Sequence, residues 1–475
     1  MRQYWNNTKV ICTIGPACNH RGILKKMILS GMDIARFNFS HGKPEEHVRQ
    51  IKIVKSLEAD LKMPVGVLQD LPGPKIRIGA LKNESIFLKE GELFYLSSKT
   101  IIGTKEGVSV NHPAFIKQLK KNSVVYLNDG MVKLVVISKS PDRVICSVLS
   151  GGRIYSKKGV SCPNQFLNLS AVTPYDLECL KYGIEAGVDF IAVSFVQSAK
   201  DILKIKNYLT QKNKQIFVIA KIERKIAFED IDNIIKISDA VMVARGDLGI
   251  EADLEEVPFL QKEIIKKSNA LGKPVITATQ MLESMVYNPQ PTRAEVTDIA
   301  NAILDGTDAL MLSEETAVGK YPLQTLKTML KIATRSEQDL FEFKRKISPC
   351  TENKDANLVE SFSEASVNVA RNIKAKAIIV PTANANAISW LSRKRPDNMI
   401  VGVTAKPDVY KKLILFWGVY PILVKKFYGI GPALAKCMQL VKQKGIVKKH
   451  DNIVVMLTND NLLFNSNIME VKKVT

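Results

Sequence analysis

The stretch IFVIAKIERKIAFEDIDNIIKISDAVMVARGDLG, Ile216–Gly249, holds two short apolar runs, "IFVIAKIE" (216–223) and "AVMVARG" (240–246), with an amphipathic stretch between them. Two buried-type strands joined by a helix form a parallel unit, because the crossover needs the length that a helix supplies. Both runs end in polar groups: Lys221 and Glu223 close the first, and Asp247 follows the second.

Working outward, the same alternation recurs. Further runs are "TKVICTIG" (8–15), "DIARFNFS" (33–40), "PVGVLQD" (64–70), "FIAVSF" (190–195), "PVITAT" (274–279) and "ALMLSE" (309–314). Helix patterns such as "RGILKKMILSGM", "EEHVRQIKIVKSLEADL" and "DILKIKNYL" lie between most of them. Eight such strands predict an α/β fold, a (β/α)8 TIM barrel. The alternation fails once. After "LQDLPGPKIRIG" (68–79), the segments "ESIFLKEGELFYLSS", "SVVYLNDGMVKLVVIS" and "RVICSVLSGGRI" read as strands and turns. They predict a β-rich lid after strand 3, over 74–169, in a barrel of 1–73 and 170–345. A C-terminal α/β domain over 346–475 follows, with strands "AIIVPT", "MIVGVT", "YPILVK" and "NIVVMLT" and the linker "CTENKDAN".

Composition narrows the classes. The 475 residues exceed one compact core, and 46% hydrophobic and 24% charged residues are ordinary globular values. No apolar run has membrane-spanning length, and "MRQYWNNTKVICTIG" shows no signal core. Seven scattered cysteines without metal-ligand spacing fit reduced thiols and a cytoplasmic protein. The net charge of +21 admits nucleic acid or anionic substrates. Lysines spread over helix faces, with no long basic block, favour no nucleic acid and no membrane partner.

Active sites of such barrels lie at the C-terminal strand ends. Strand alternation places Arg36, Asn38 and Ser40 on one face; Arg36 suits phosphate oxygens. A polar layer filling the barrel is the alternative, disfavoured because a buried arginine without an anion is costly. Strands 5 and 6 lie about 4.8 Å apart if adjacent, so Glu223 and Asp247 can pinch Mg²⁺ or Mn²⁺ beside Lys221. A structural Lys221–Glu223 ion pair is the competing reading. Thr277 and Thr279 end strand 7, as water holders or as helix caps. Arg293, Glu295 and Asp298 begin the next helix, where packing or an interface competes with catalysis.

"DIARFNFSHG", "LQDLPGPKIR", "IAKIE", "VARGDLG", "ITATQMLESM" and "PTRAEVTDIANAILDGTDALMLSEETAVGKYP" closely resemble the pyruvate kinase family, in its order. The resemblance implies Mg²⁺-dependent phosphoryl transfer from phosphoenolpyruvate to ADP, with a lid and a C-terminal domain. By matching positions, Arg36 binds the phosphoryl group and Lys221 stabilises its charge and the enolate. Glu223 and Asp247 hold the metal, and the Gly246 backbone meets the substrate carboxylate. Thr279 contacts substrate and helps protonate the enolate, while Asn38, Ser40, His41 and Arg77 lie near the nucleotide. Asn38, Ser40, Asp70 and the Leu71 carbonyl form a monovalent-cation pocket. Relatives that need K⁺ carry Glu where Lys75 stands, so the resemblance implies that Lys75 replaces K⁺ and makes it dispensable. Tyr175 and Gln197 stand where relatives have Lys and Arg, and Glu314 replaces a Gly.

"TANANAIS" (382–389) lacks the small-residue phosphate loop of relatives activated by fructose 1,6-bisphosphate, and "TNDNLLFNSN" lacks a later Gly-rich loop. No activation by that sugar is expected. Arg393, Lys394 and Arg395 leave open another anionic effector or a solvated basic helix end. The family analogy implies a homotetramer, with 292–320 at its interface. A metal-dependent lyase or aldolase on pyruvate-like enolates shares the Lys221, Glu223 and Asp247 logic but needs no lid. A basic scaffold or nucleic-acid binder would leave those residues without a purpose.

Overall fold

A computed structural model describes residues 6–128, 130–163, 170–347, 358–427, 430–458 and 467–475. The expected linker "CTENKDAN" and most of "TNDNLLFNSN" lie outside them. Eight parallel strands close a barrel: Lys9–Thr13, Ile34–Asn38, Gly66–Asp70, Phe190–Val193, Phe217–Ile222, Ala240–Ala244, Val275–Ala278 and Ala309–Leu312, numbered 1 to 8 in that order. Each has neighbours in sequence beside it, and strand 1 pairs with strand 8.

Two-residue alternation divides the apolar side chains. Ile11, Ile34, Leu68, Ile219, Met242 and Ile276 belong to the cluster that fills the barrel, while Val10, Val67, Val218, Val241 and Val275 pack against the surrounding helices. At Gly66 the filling is tight enough to exclude a side chain: a Cβ would stand 2.7 Å from the Phe190 ring and 3.0 Å from Ile34.

One device repeats around the barrel floor. Asp33, Asp189, Asp239 and Asp308 immediately precede strands 2, 4, 6 and 8. Their carboxylates accept the N–H groups of Val10, Val67, Val218 and Val275 at 2.9, 2.9, 2.8 and 2.9 Å. Each aspartate N–H also donates to the carbonyl of the same valine. Each odd strand is thereby stapled to the even strand that follows it, and edge N–H groups that burial would strand are satisfied.

Two of these aspartates also receive cations from the C-terminal domain. Arg395 meets Asp308 at 2.7 Å, with side chains 3% and 5% exposed, and lies over the Trp417 ring. Lys411 meets Glu58 at 2.6 Å and Asp189 at 3.5 Å. Between them Phe416 meets Phe217 edge-on, and Lys9 donates to the Val419 carbonyl at 2.8 Å. The C-terminal domain therefore plugs the barrel floor. Its sheet has five strands: the four expected parallel strands plus an antiparallel edge strand, Ile468–Lys473. Asp308→Ala would leave the Arg395 guanidinium buried without its anion. It is expected to cost about 3–5 kcal/mol, read as a lowered unfolding midpoint; an unchanged midpoint would contradict this pairing.

Among its described residues, the insertion after strand 3 is all-β apart from the helix Pro113–Gln118. It has a six-stranded sheet, a two-stranded sheet and an apolar core of its own around Phe94, Leu96, Phe115 and Leu134. Its outgoing and returning segments pair at Arg77 and Gly159. Helix Pro322–Ile347 runs on from the barrel past residue 345.

Candidate active site

The strand ends bring together a buried charge cluster. Asp70, 1% exposed, ends strand 3 and lies between two cations. Arg36 Nε and Nη2 reach its Oδ2 at 2.8 and 2.7 Å, and Lys221 Nζ reaches its Oδ1 at 3.0 Å. Lys221 also meets Glu223 Oε1 at 2.9 Å and the Ser194 hydroxyl at 2.7 Å. Arg36 Nη1 donates to Thr13 Oγ1 at 2.7 Å. Only three of the five guanidinium donors are thereby used, so Arg36 keeps donors for a ligand.

Burial and like charge set the electrostatics. Burial works against the Asp70 carboxylate, but Lys221 and Arg36 overcome it and hold the group below the usual carboxylate range. Burial likewise opposes the Lys221 ammonium, and Asp70 and Glu223 raise it well above its ordinary value. Glu223 is pushed up to about 7 by burial, with Lys221 opposing and Asp247 adding to the rise. A Glu223 carboxylate whose charge is disfavoured by burial and by nearby Asp247 suits a divalent cation between the two. No group of three or more candidate metal ligands occurs among the described residues. A metal at Glu223 and Asp247 would therefore take its other ligands from substrate and water, as Mg²⁺ commonly does.

Three non-glycine residues at this mouth have left-handed backbone: Phe195 (φ 55°), Thr279 (φ 68°) and Gln280 (φ 53°). Such residues cost about 1–3 kcal/mol each and persist where their surroundings hold them. The Phe195 N–H donates to Glu223 Oε2 at 2.7 Å. Arg245, paired with Asp298 at 2.6 Å, donates to the Thr279 and Gln280 carbonyls at 2.8 and 3.2 Å. The Gly246 N–H donates to Thr279 Oγ1 at 2.7 Å, so these two candidate substrate contacts face each other. Asp247 lies in the first turn of the short helix Arg245–Glu251.

Some sequence expectations are corrected. Strand 2 stops at Asn38, so Ser40 lies beyond it in an exposed turn, its N–H bonded to Asn38 Oδ1 at 3.1 Å. Strand alternation does not carry that far. Thr277 turns away from the mouth and meets Thr307 Oγ1 at 3.0 Å. The Leu71 carbonyl accepts from Ser194 at 2.7 Å, and Gln197 accepts from Arg224 at 3.1 Å. Glu295 serves as a capping residue, bonded to Ser284 and Thr292. Arg395 is a buried structural cation, and Arg393 and Lys394 pair with Glu360 and Glu364, so this is not a solvated basic end.

The lid faces this mouth across a cleft of about 630 Å³, open to solvent. Lys75, Ile76, Tyr126 and Ser161 line it from the lid side, and Phe195, Arg224, Asp247 and Glu251 from the barrel. Burial and the Arg77, Lys75 and Arg36 charges lower the His41 pKa, which places the lid's root cations near the loop after strand 2. No ion pair is formed by Lys75 or Arg77 among the described residues; Arg77 Nη1 donates to the Lys157 carbonyl at 2.9 Å. Tyr175 and Glu314 are exposed, and nothing in the structure explains the Glu314 departure.

Thr13, Ser194 and Ser313 were not singled out from sequence. Ser194 links the Lys221 ammonium to the lid's departing strand, and Ser313 Oγ is buried without a partner at the end of strand 8. Each follows its strand's inward positions, as Ile11–Thr13, Ala192–Ser194 and Met311–Ser313 show, so the alternation that picked Arg36 also points to them.

Residues 5–326 match the family model described as the pyruvate kinase barrel domain, and 360–471 match that for its alpha/beta domain. A pyruvate kinase of Thermotoga maritima is 42% identical over 98% of this chain and 99% of its own length. One of Bacillus licheniformis is 41% identical over 98% of this chain and 80% of its own. The crystal structure of a pyruvate kinase from Cryptosporidium parvum superposes with a TM-score of 0.90 at 31% identity, covering 99% of this chain and 96% of that one.

Proposed function

The chain belongs to the pyruvate kinase family, and from that premise we propose that it catalyses Mg²⁺-dependent phosphoryl transfer from phosphoenolpyruvate to ADP, giving pyruvate and ATP. The buried cluster of Arg36, Asp70, Lys221 and Glu223 carries this reading. Phosphoryl transfer needs positioning and charge stabilisation more than covalent help. Arg36 and Lys221 are the barrel's cations for the transferring group, and Asp70 fixes both in place. Lys75 and Arg77, without carboxylate partners among the described residues, offer positive charge from the lid side. The divalent ion, held by Glu223 and Asp247, would neutralise phosphoryl charge. Lys221 holds the enolate oxygen's charge as the phosphoryl group leaves, and Thr279 stands where the enolate carbon gains its proton. The lid over the mouth would limit transfer to water.

K⁺ is dispensable in this proposal. Of the candidate pocket's oxygens, the Asp70 carboxylate is engaged by Arg36 and Lys221, and the Leu71 carbonyl by Ser194. Lys75, on the cleft, supplies the monovalent charge. Turnover in sodium or tetramethylammonium salts should match that in potassium, and Lys75→Glu should make it depend on added K⁺. Wild-type activity restored only by K⁺ would sink this.

Fructose 1,6-bisphosphate is proposed not to activate. In "TANANAIS" the Asn384 and Asn386 N–H groups donate to Thr382 and Asn384 side chains at 3.4 and 2.9 Å, leaving a poor phosphate cradle. Nearby cations are already paired. A titration should change the rate by less than about fivefold, the lower range of allosteric coupling; a larger activation would contradict the proposal.

A cytoplasmic homotetramer completes it. Phe259, in helix Val257–Ala270, and Tyr287, just after the 3-10 turn Glu283–Val286, are each 73% exposed, and an apolar contact between subunits would cover them. No helix among the described residues is long and apolar enough to cross a membrane.

A further inference from the structure

The chain crosses twice between barrel and lid, at Leu71–Pro74 on the way out and before Pro174 on the way back, and one carboxylate holds both crossings. Asp176, 1% exposed, accepts the Gly73 N–H on Oδ1 at 2.8 Å. Its Oδ2 accepts the Thr173 N–H at 2.7 Å and the Thr173 hydroxyl at 2.6 Å. The Thr173 contacts form a capping box on helix Pro174–Ala186. The Gly73 contact is no part of that cap. It reaches 103 residues back along the chain to the outgoing crossing.

Gly73 sits where the lid's departure meets the active site. Its φ is +66°, and a Cβ there would stand 2.9 Å from the Phe195 ring and 3.0 Å from Ser194 Cβ. Phe195 is the left-handed residue whose N–H is held by Glu223, and Ser194 accepts from Lys221 and donates to the Leu71 carbonyl. The outgoing crossing at Gly73 is thus packed closely against the two residues that touch Lys221 and Glu223. On the outgoing crossing Pro72 and Pro74 have no N–H to donate; on the return, Lys204 also donates to the Ser170 hydroxyl and the Val172 carbonyl at 3.0 and 2.8 Å.

We propose that Asp176 is a positioning residue that locks the lid's two crossings together and so sets the lid against the barrel mouth. It touches neither substrate nor metal; it acts through Gly73. The kinetic arm of this proposal rests on the phosphoryl-transfer reading above, because transfer to ADP needs the lid. In that reading, proton exchange on pyruvate draws on the barrel groups Lys221 and Thr279 and not on the lid.

The test uses the full-length protein and the variants Asp176→Asn and Asp176→Glu. Glutamate at the third helical position can still close a capping box with Thr173, but its extra methylene moves the carboxylate away from Gly73. Asp176→Glu should therefore keep its helix cap and a cooperative unfolding transition, at a midpoint lowered by the one buried hydrogen bond it loses. Both variants should lose hydrogen-exchange protection in the peptide spanning 72–78. In both, the ratio of ADP-dependent phosphoryl transfer to pyruvate proton exchange should fall about tenfold or more, as misplacement by a fraction of an ångström would give. Wild-type protection at 72–78 in either variant would overturn the proposal, as would the two rates falling in equal proportion. The exchange arm needs no turnover, so it decides the hinge even if the wild type made no pyruvate, a result that would bear on the proposed reaction alone.

Discussion

Lys221→Met is expected to lower kcat about 10³-fold or more, about 4 kcal/mol of transition-state stabilisation. The methionine fills much of the same volume, and Arg36 still pairs with Asp70 through two contacts, so the barrel should remain folded. What is lost is the one cation that meets Asp70, Glu223 and Ser194 together. That charge matters most when phosphoryl transfer exposes an enolate oxygen, so the loss should fall on kcat more than on KM. Steady-state rates beside an unfolding curve provide the check. A loss under tenfold in a folded variant would remove Lys221 from the chemistry and leave it as the structural partner of Glu223.

Glu223→Gln should act through the metal. The amide oxygen can still accept the Phe195 N–H, which keeps that left-handed turn in place. It removes the carboxylate near Asp247 and would leave a divalent ion proposed there one anionic ligand instead of two. The half-saturating Mg²⁺ concentration is expected to rise about 10–100-fold, with a matching loss at fixed metal. Asp247→Asn should give a similar rise. Metal titrations of the two variants decide the matter; unchanged midpoints would place the ion elsewhere.

Much of the architecture is written in the chain's periodicity. Eight apolar runs broken by helical patterns, with one long interruption after strand 3, correspond to the closed barrel and its all-β insertion. Ile468–Lys473 escaped notice because it is an edge strand with alternating charge, Glu470, Lys472 and Lys473, and exposed edges need not be apolar. The carboxylates of Asp70, Glu223 and Asp247 were visible as polar ends of apolar runs. Their partnering is not legible in the sequence: that Asp70 lies between Arg36 and Lys221 depends on the pairing of strand 3 with strands 2 and 4 and of strand 4 with strand 5. Arg395 shows the same limit. Read along the chain it belongs to a basic run; in space it is the buried partner of Asp308, 87 residues away. Thr13, Ser194 and Ser313 were within reach, since inward alternation continues through all three.

Movement of a phosphoryl group from phosphoenolpyruvate to ADP is the reaction proposed for this barrel mouth. It is tested most directly by following pyruvate and ATP together in purified protein, with phosphoenolpyruvate, Mg²⁺ and no K⁺, with and without ADP. Equimolar pyruvate and ATP are expected only when ADP and Mg²⁺ are both present. Pyruvate released at the same rate without ADP, or no pyruvate in the complete mixture, would contradict it.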